Sequence, residues 1–207
     1  MVRTAGSMRR AAEELARREP AFAAVISRHG IPPPRTSAPG ADTLLRTIVG
    51  QQVSVAAARS MWAKLTTRFG DPVDLAALVA AGDDDLRAAG LSRQKAGYAR
   101  SLAGLVRSGE LDLAALPDDD EQAIAHLTHI KGIGRWSAEI YLLFAEGRED
   151  AFPAGDLAVQ VELGRLLGLA ERPGEKPLRA LAEPWRPYRG AAAVLAWHSY
   201  NSAGSAL

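Results

Sequence analysis

Apolar residues recur along most of the chain at steps of three and four, which is the period of an amphipathic α-helix. The clearest sets are Ala58, Trp62, Leu65 and Phe69; Tyr98, Leu102 and Leu105; and Val159, Leu163 and Leu166. Predicted helix starts fall at Asp42, Asp74, Asp83 and Asp118, and predicted ends at Gly30, Gly70, Gly90 and Gly109. No segment shows the alternation of a strand. The pattern predicts about ten short helices and an all-α bundle.

Irregular segments divide this pattern. Ile31–Arg35 contains three consecutive prolines and predicts a stiff, polyproline-like link, and a second irregular stretch covers Glu146–Gly155. We therefore expect one unit of two lobes over residues 1–207. One lobe covers about 40–145 and contains a hairpin at 127–138; the other combines 1–39 with 146–207.

Composition narrows the chemistry. Apolar residues make up 47% of the 207 residues, and no apolar run approaches the ~18 residues that span a bilayer. The charged N-terminal segment lacks the apolar core of a signal peptide, so we do not expect secretion. The absence of cysteine excludes disulfides, iron–sulfur clusters and thiolate zinc sites. A net charge of +1 does not by itself indicate nucleic-acid binding.

The most informative segment is Leu127–Ala138, which contains Gly132 and Gly134. One helix must stop before Gly132 and another must begin near Gly134. Glycine tolerates positive φ and close backbone approach, so this spacing allows a very tight turn. The turn amides and the first amides of the next helix form an anion site that needs no cationic side chain. The alternative is an ordinary connection between two helices, but the apolar residues around the turn favour the functional interpretation.

A second informative segment is Phe152–Gln160, in which Pro153 and Gly155 predict a loop and Asp156 precedes a helix. Asp156 is a typical N-cap residue. A catalytic role is compatible with capping, because the helix dipole favours the ionised carboxylate.

Hairpin, spacing and aspartate together resemble the helix-hairpin-helix, Gly/Pro-rich, aspartate superfamily of DNA repair glycosylases, and within it the AlkA-type 3-methyladenine DNA glycosylases. Three further segments match: Leu44–Ser54, Gly90–Lys95, and Trp185–Arg189 continuing to Trp197. The resemblance covers about residues 36–200. The AlkA prototype carries an additional N-terminal β domain for which this chain has no room, so the likeness is to the shorter members.

The resemblance implies a role for each residue at the matching positions. Asp156 would stabilise the oxocarbenium ion of a flipped-out nucleotide and assist a water. Trp136 stands where bifunctional members carry the Schiff-base lysine, so we expect no lyase activity. Trp136 and Trp197 would line the base pocket, the alternative being that both belong to the core. Trp62 and Trp185 are predicted to be core residues.

The same resemblance places Gln52 as the intercalating wedge, with Gln51 beside it; the alternative for Gln52 is a helix-capping amide. The carbonyl groups of Thr128, Ile130 and Ile133 would hold a monovalent cation beside the DNA phosphate, and no other cofactor is required. We expect the partner to be double-stranded DNA with alkylated bases, and the protein to be a cytoplasmic monomer without a membrane partner, nucleoid-associated if bacterial.

Three functions stay open at this point. The first is release of alkylated purines of the 3-methyladenine and 7-methylguanine type. The second is a glycosylase for another lesion, such as uracil or a deaminated purine, which needs an amide to read the base edge. The third is a non-catalytic DNA-binding hairpin module, which has no need for Asp156.

Overall fold

The computed structural model describes residues 4–204, and this range contains only helices and connecting segments. In chain order the helices are α1 (Ala5–Arg18), α2 (Pro20–His29), α3 (Ala41–Gly50), α4 (Val55–Phe69), α5 (Leu75–Ala80), α6 (Asp83–Ala88), α7 (Arg93–Ser108), α8 (Asp120–Thr128), α9 (Arg135–Phe144), α10 (Leu157–Leu166), α11 (Glu175–Leu181), a 3₁₀ turn (Glu183–Trp185) and α12 (Arg189–Gly204). The all-α prediction is confirmed. The described range contains twelve α-helices, slightly more than the expected number of about ten.

Four of the eight predicted helix boundaries agree with the structure, and a fifth, Gly90, lies one residue beyond the C-cap Ala89 of α6. Gly30, Gly70 and Gly109 are the C-cap residues of α2, α4 and α7. Asp74 caps α5 and accepts hydrogen bonds from two backbone amides of its first turn. Three predicted starts were displaced: Asp42 and Asp83 lie within the first turn, and Asp118 precedes the actual cap of α8. Aspartate is favoured in the first turn as well as at the cap, so its position alone does not mark the start.

The chain divides into two compact units. The continuous unit comprises Ser37–Tyr141, and α7 packs there against α3, α5 and α6. Alanine residues on the inner face of α7, including Ala96, Ala99 and Ala103, allow this close packing. The apolar face of α3 is fully buried, and Trp62 of α4 is 8% exposed.

The composite unit comprises Met1–Thr36 and Leu142–Leu207, and α12 packs there against α1, α2 and α10. Residues 191–196 of α12 are all buried, as expected for a helix with neighbours on several sides. The ring of Trp185 lies edge-on to Phe22 and Phe152, at 5.0 and 6.5 Å between centroids. The prediction that Trp62 and Trp185 are core residues is therefore confirmed. No helix within residues 4–204 is long and apolar enough to cross a membrane.

Candidate functional site

The predicted hairpin is present in the continuous unit. Helix α8 ends at Thr128 and α9 begins at Arg135, on either side of the two glycines. Ile130 and Ile133 are buried on either side of Gly132, and the amide of Ile133 donates to the carbonyl of Ile130 at 3.0 Å. The apolar residues therefore fix the turn to the two helices.

The two hairpin glycines differ in their surroundings. Gly132 has a φ of +85°, and a Cβ at this position would lie 2.1 Å from Cδ2 of Tyr98. Gly134 has no positive φ, and a Cβ there would meet no atom within 4 Å. The interpretation that both glycines are needed for the backbone conformation is thus correct for Gly132 and wrong for Gly134. The open space above the exposed Gly134 is instead available to a molecule outside the chain.

Charged side chains around the hairpin are paired with one another. Arg135, the first residue of α9, binds Glu121 of α8 and the buried Glu139 one turn further along α9. The hydrogen bond with Glu121, and the charge of Glu139, raise the pKa of Arg135. Two carboxylates thus compensate this guanidinium, so that an anion at the turn would meet backbone amides and the exposed Lys131 rather than Arg135.

The loop between α3 and α4 contains two glutamines with different environments. Gln51 is the C-cap of α3, and its side-chain Nε2 donates to the carbonyl of Gly132 at 2.8 Å. Gln52 is exposed and has a φ of +54°, in the left-handed region that non-glycine residues rarely occupy. The alternative that Gln52 caps α3 is therefore wrong, since Gln51 takes that position. We call residues 51–54 the α3–α4 loop.

A polar cavity of about 410 Å³ adjoins the α3–α4 loop, and Gln52, Ser92, Gln94 and Lys95 contribute to its wall. The ammonium group of Lys95 donates to the carbonyl of Val49, near the end of α3, at 2.7 Å. Burial lowers the pKa of Lys95. Gln52 is therefore next to open, polar space on one side.

The predicted catalytic carboxylate lies in the composite unit, at the start of α10. Asp156 Oδ1 accepts hydrogen bonds from the backbone amide of Val159 and from the indole Nε1 of Trp197, both at 3.0 Å. The first bond makes Asp156 the N-cap of α10, as predicted. The loop before it is held by Gln160, whose Nε2 donates to the carbonyl of Ala154 at 2.8 Å. The bonds from the Val159 amide and the Trp197 indole fix the orientation of the carboxylate.

Helix α12 positions Trp197 beside that carboxylate. Arg189, at the start of α12, donates to both carboxylate oxygens of Asp150 at 2.9 and 2.8 Å. Gly190 lies so close to the preceding segment that a Cβ would be 2.5 Å from Leu143 Cδ1 and 2.7 Å from the carbonyl oxygen of Glu149. The indole of Trp197 packs against Phe144, with 5.8 Å between the centroids. Sequence reasoning missed the roles of Asp150 and Gly190.

Trp136 is 45% exposed on the first turn of α9. The alternative that it belongs to the core is therefore wrong. Trp136, the hairpin and Gln52 belong to the continuous unit, whereas Asp156 and Trp197 belong to the composite unit. The structure thus brings Asp156 into contact with Trp197, and Gln51 into contact with the hairpin.

Side chains do not form a metal site within residues 4–204, since no cluster of three or more His, Asp or Glu residues could hold an ion. The carbonyl of Ile130 accepts the Ile133 amide. A carbonyl oxygen has two lone pairs, so this group retains acceptor capacity for a cation. Neutral oxygen ligands of this kind suit a hard cation.

Comparison with known proteins identifies the family. The model of the HhH-GPD superfamily of base excision DNA repair proteins matches residues 45–187. The chain belongs to this superfamily. The matched range includes the hairpin, the α3–α4 loop and Asp156, so the HhH-GPD region contains most of the residues described above.

Individual proteins that are similar to this chain have names that refer to 3-methyladenine glycosylases or glycosidases. A putative DNA-3-methyladenine glycosylase of Bacillus subtilis is 28% identical over 166 residues, which cover 76% of this chain and 58% of that protein. The DNA-3-methyladenine glycosidase of Bacillus halodurans has a similar structure, with a TM-score of 0.86, 29% identity, and coverage of 94% and 91% of the two chains. The structure of the 3-methyladenine DNA glycosylase of Schizosaccharomyces pombe in complex with abasic DNA is also similar, with a TM-score of 0.78 and 25% identity. The match covers 94% of this chain and 97% of that chain. The chain thus spans just under three fifths of the B. subtilis relative.

Proposed function

We propose that this protein is a DNA N-glycosylase that releases alkylated purines in base excision repair. The observation that carries the proposal is the Asp156 carboxylate, held by the Val159 amide and the Trp197 indole in a member of the HhH-GPD superfamily. The three relatives described above have names that refer to 3-methyladenine. A purely DNA-binding hairpin protein would need Asp156 only as the N-cap of α10.

Asp156 acts electrostatically in the proposed reaction. As the bond between base and sugar breaks, positive charge develops at C1′, and a fixed carboxylate stabilises that charge without having to reorient. The hydrogen bond from Trp197 and the cap of α10 supply this fixation. The same carboxylate assists the water that attacks C1′, as in glycoside hydrolysis.

The proposed substrates are purines alkylated at N3 or N7. Such a base carries a positive charge, which weakens its bond to the sugar, so it leaves without a general acid. Indole surfaces attract a cationic ring by roughly 0.5 to 2 kcal/mol. We assign this role to Trp136 and Trp197, and the exposure of Trp136 is compatible with it. We expect 3-methyladenine to be released fastest and 7-methylguanine more slowly.

The enzyme is proposed to be monofunctional. A lyase needs an amine that attacks C1′, and the position that carries it in bifunctional members is occupied here by Trp136. Lys131, the nearest lysine in the sequence, precedes the turn, and its backbone amide donates to Ser101. The product would therefore be an intact strand with an abasic site.

The hairpin is proposed to hold the DNA backbone. The amides of Gly132 and Gly134, with the first amides of α9, would bind a phosphate, and Gln52 would fill the space left by the flipped base. The carbonyl groups of Thr128, Ile130 and Ile133 would hold a monovalent cation beside that phosphate. Replacing K⁺ and Na⁺ by tetramethylammonium at constant ionic strength should then weaken DNA binding; unchanged affinity would contradict the cation site.

The function is tested by chromatography of the bases released from methylated DNA, beside a uracil-containing duplex. Wild-type protein should release methylpurines and little uracil. Asp156→Asn keeps an oxygen that accepts both N–H groups, so thermal stability should be nearly unchanged while base release falls at least about a hundredfold.

The matched control is Asp119→Asn, which makes the same change at the N-cap of α8, where Asp119 accepts the amide of Gln122 at 2.9 Å. This control should retain full activity. Release of uracil without methylpurines would refute the proposed substrate class. An Asp156→Asn variant with more than about a tenth of wild-type activity would reduce Asp156 to a helix cap, because tenfold corresponds to only ~1.4 kcal/mol.

A further inference from the structure

One face of α7 supports both the α3–α4 loop and the hairpin. Lys95, Tyr98 and Ser101 follow one another at steps of three and therefore share a face of the helix. The Lys95 ammonium group binds the carbonyl of Val49 just before the loop. The Tyr98 ring fills the space where a side chain on Gly132 would lie, and the Ser101 hydroxyl accepts the amide of Lys131 at 3.2 Å.

A direct bond joins the two supported segments. The Gln51 side chain crosses from the loop to the carbonyl of Gly132, 81 positions away in the sequence. This carbonyl belongs to the peptide between Gly132 and Ile133, within the turn whose amides are proposed to bind phosphate. Gln51 directly precedes Gln52, so the bond fixes the backbone on one side of the proposed wedge.

We propose that Gln51 is a positioning residue that couples phosphate binding at the hairpin to base extrusion by Gln52. The inference rests on the proposed glycosylase function. Gln52 has a left-handed backbone that an L-residue adopts only when its surroundings impose it. The Gln51 bond to Gly132 is the contact that imposes this geometry from the hairpin side. Gln51 itself need not touch the base.

The coupling predicts a specific pattern of losses. Without the Gln51 amide the hairpin still binds phosphate, so affinity for an undamaged duplex should change less than about threefold. Base release in a single turnover should fall about tenfold, close to the upper range for the loss of one hydrogen bond. Gln51→Met should behave as Gln51→Ala, because a methionine side chain has a similar length but cannot donate to the Gly132 carbonyl.

A double-mutant cycle with Gln51→Ala and Gln52→Ala tests the proposal. If Gln51 acts through Gln52, the Gln51 substitution costs about tenfold in the wild-type background and less than about twofold in the Gln52→Ala background. Gln122→Ala makes the same change at an exposed position of α8 and should have wild-type rates. Thermal unfolding of each variant shows whether the chain is folded.

Three contrary results of these measurements can be told apart. Equal losses in both backgrounds would show that Gln51 acts independently of Gln52 and would overturn the coupling. A loss of affinity for undamaged duplex as large as the loss in rate would make Gln51 a part of the DNA-binding surface instead. Methylpurine release by the wild-type protein is measured first. Its absence would refute the proposed function, whereas the two results above concern the coupling alone.

Discussion

The two hairpin glycines predict opposite results for the same substitution. Gly132→Ala should destabilise the protein, whereas Gly134→Ala should leave stability unchanged and weaken DNA binding. A residue other than glycine at a φ of +85° costs roughly 1 to 2 kcal/mol. The added methyl group must also displace the Tyr98 ring, since the two would lie 2.1 Å apart, and overpacking of this kind costs about 1 to 3 kcal/mol.

The expected loss at Gly132 is therefore about 2 to 5 kcal/mol, which corresponds to a fall in Tm of roughly 4 to 20 °C for a chain of this size. At Gly134 neither term applies. A methyl group there would instead stand between the turn amides and a phosphate. Loss of one hydrogen bond to a charged group is worth about 1.5 to 3 kcal/mol, or at least about tenfold in Kd.

Thermal unfolding monitored by circular dichroism gives the Tm of each variant. Fluorescence anisotropy with a labelled undamaged duplex gives its Kd for DNA. Gly97→Ala on the exposed surface of α7 is the matched control, because a Cβ there also meets no atom within 4 Å. It should leave binding unchanged and stabilise α7 slightly. A Gly134→Ala variant with wild-type affinity would show that the DNA backbone does not approach this turn. Wild-type stability of Gly132→Ala would refute the packing argument.

Three further predictions concern the active carboxylate, the reaction type and acid stability. Trp197→Phe keeps an aromatic ring but removes the donor to Asp156, so base release should fall about tenfold or more with little change in Tm; an unchanged rate would contradict the positioning role. Borohydride should trap no covalent complex between wild-type protein and DNA, and a trapped adduct would refute the monofunctional assignment. Burial raises the pKa of Glu162, but hydrogen bonds from Arg165 and Ser199 lower it by more, to below 4.5. Its ionised form therefore stabilises the fold above that pH, and the contribution disappears as pH falls through the lowered pKa; Glu162→Gln should flatten the dependence of Tm on pH below about 4.5.

Features with a local cause were predictable from the sequence. The position of Asp156 before α10 follows from Pro153, Gly155 and the preference of aspartate for an N-cap. The hairpin follows from glycines between two apolar-periodic segments. In both cases the residues that determine the structure lie within one or two turns of each other, so their spacing contains the information.

Contacts between distant residues were not predictable. Gln51 and Gly132 are separated by 81 positions, and Asp156 and Trp197 by 41. Helical periodicity identifies which side of a helix is buried but not which other residue it meets. The need for a glycine at position 132 shows the same limit: the φ requirement has a local signal, whereas the Tyr98 ring beneath it comes from a different helix.

The backbone of Gln52 has a consequence for any attempt to make this protein more heat-resistant. A left-handed glutamine forgoes on the order of 1 kcal/mol of stability, which a glycine or an asparagine at the same position would partly recover. A screen that selects only for survival at high temperature would therefore favour replacement of Gln52. The variants obtained would be thermally more stable but would lack the side chain proposed to displace the damaged base. Selection for stability and selection for repair are thus expected to diverge at Gln52.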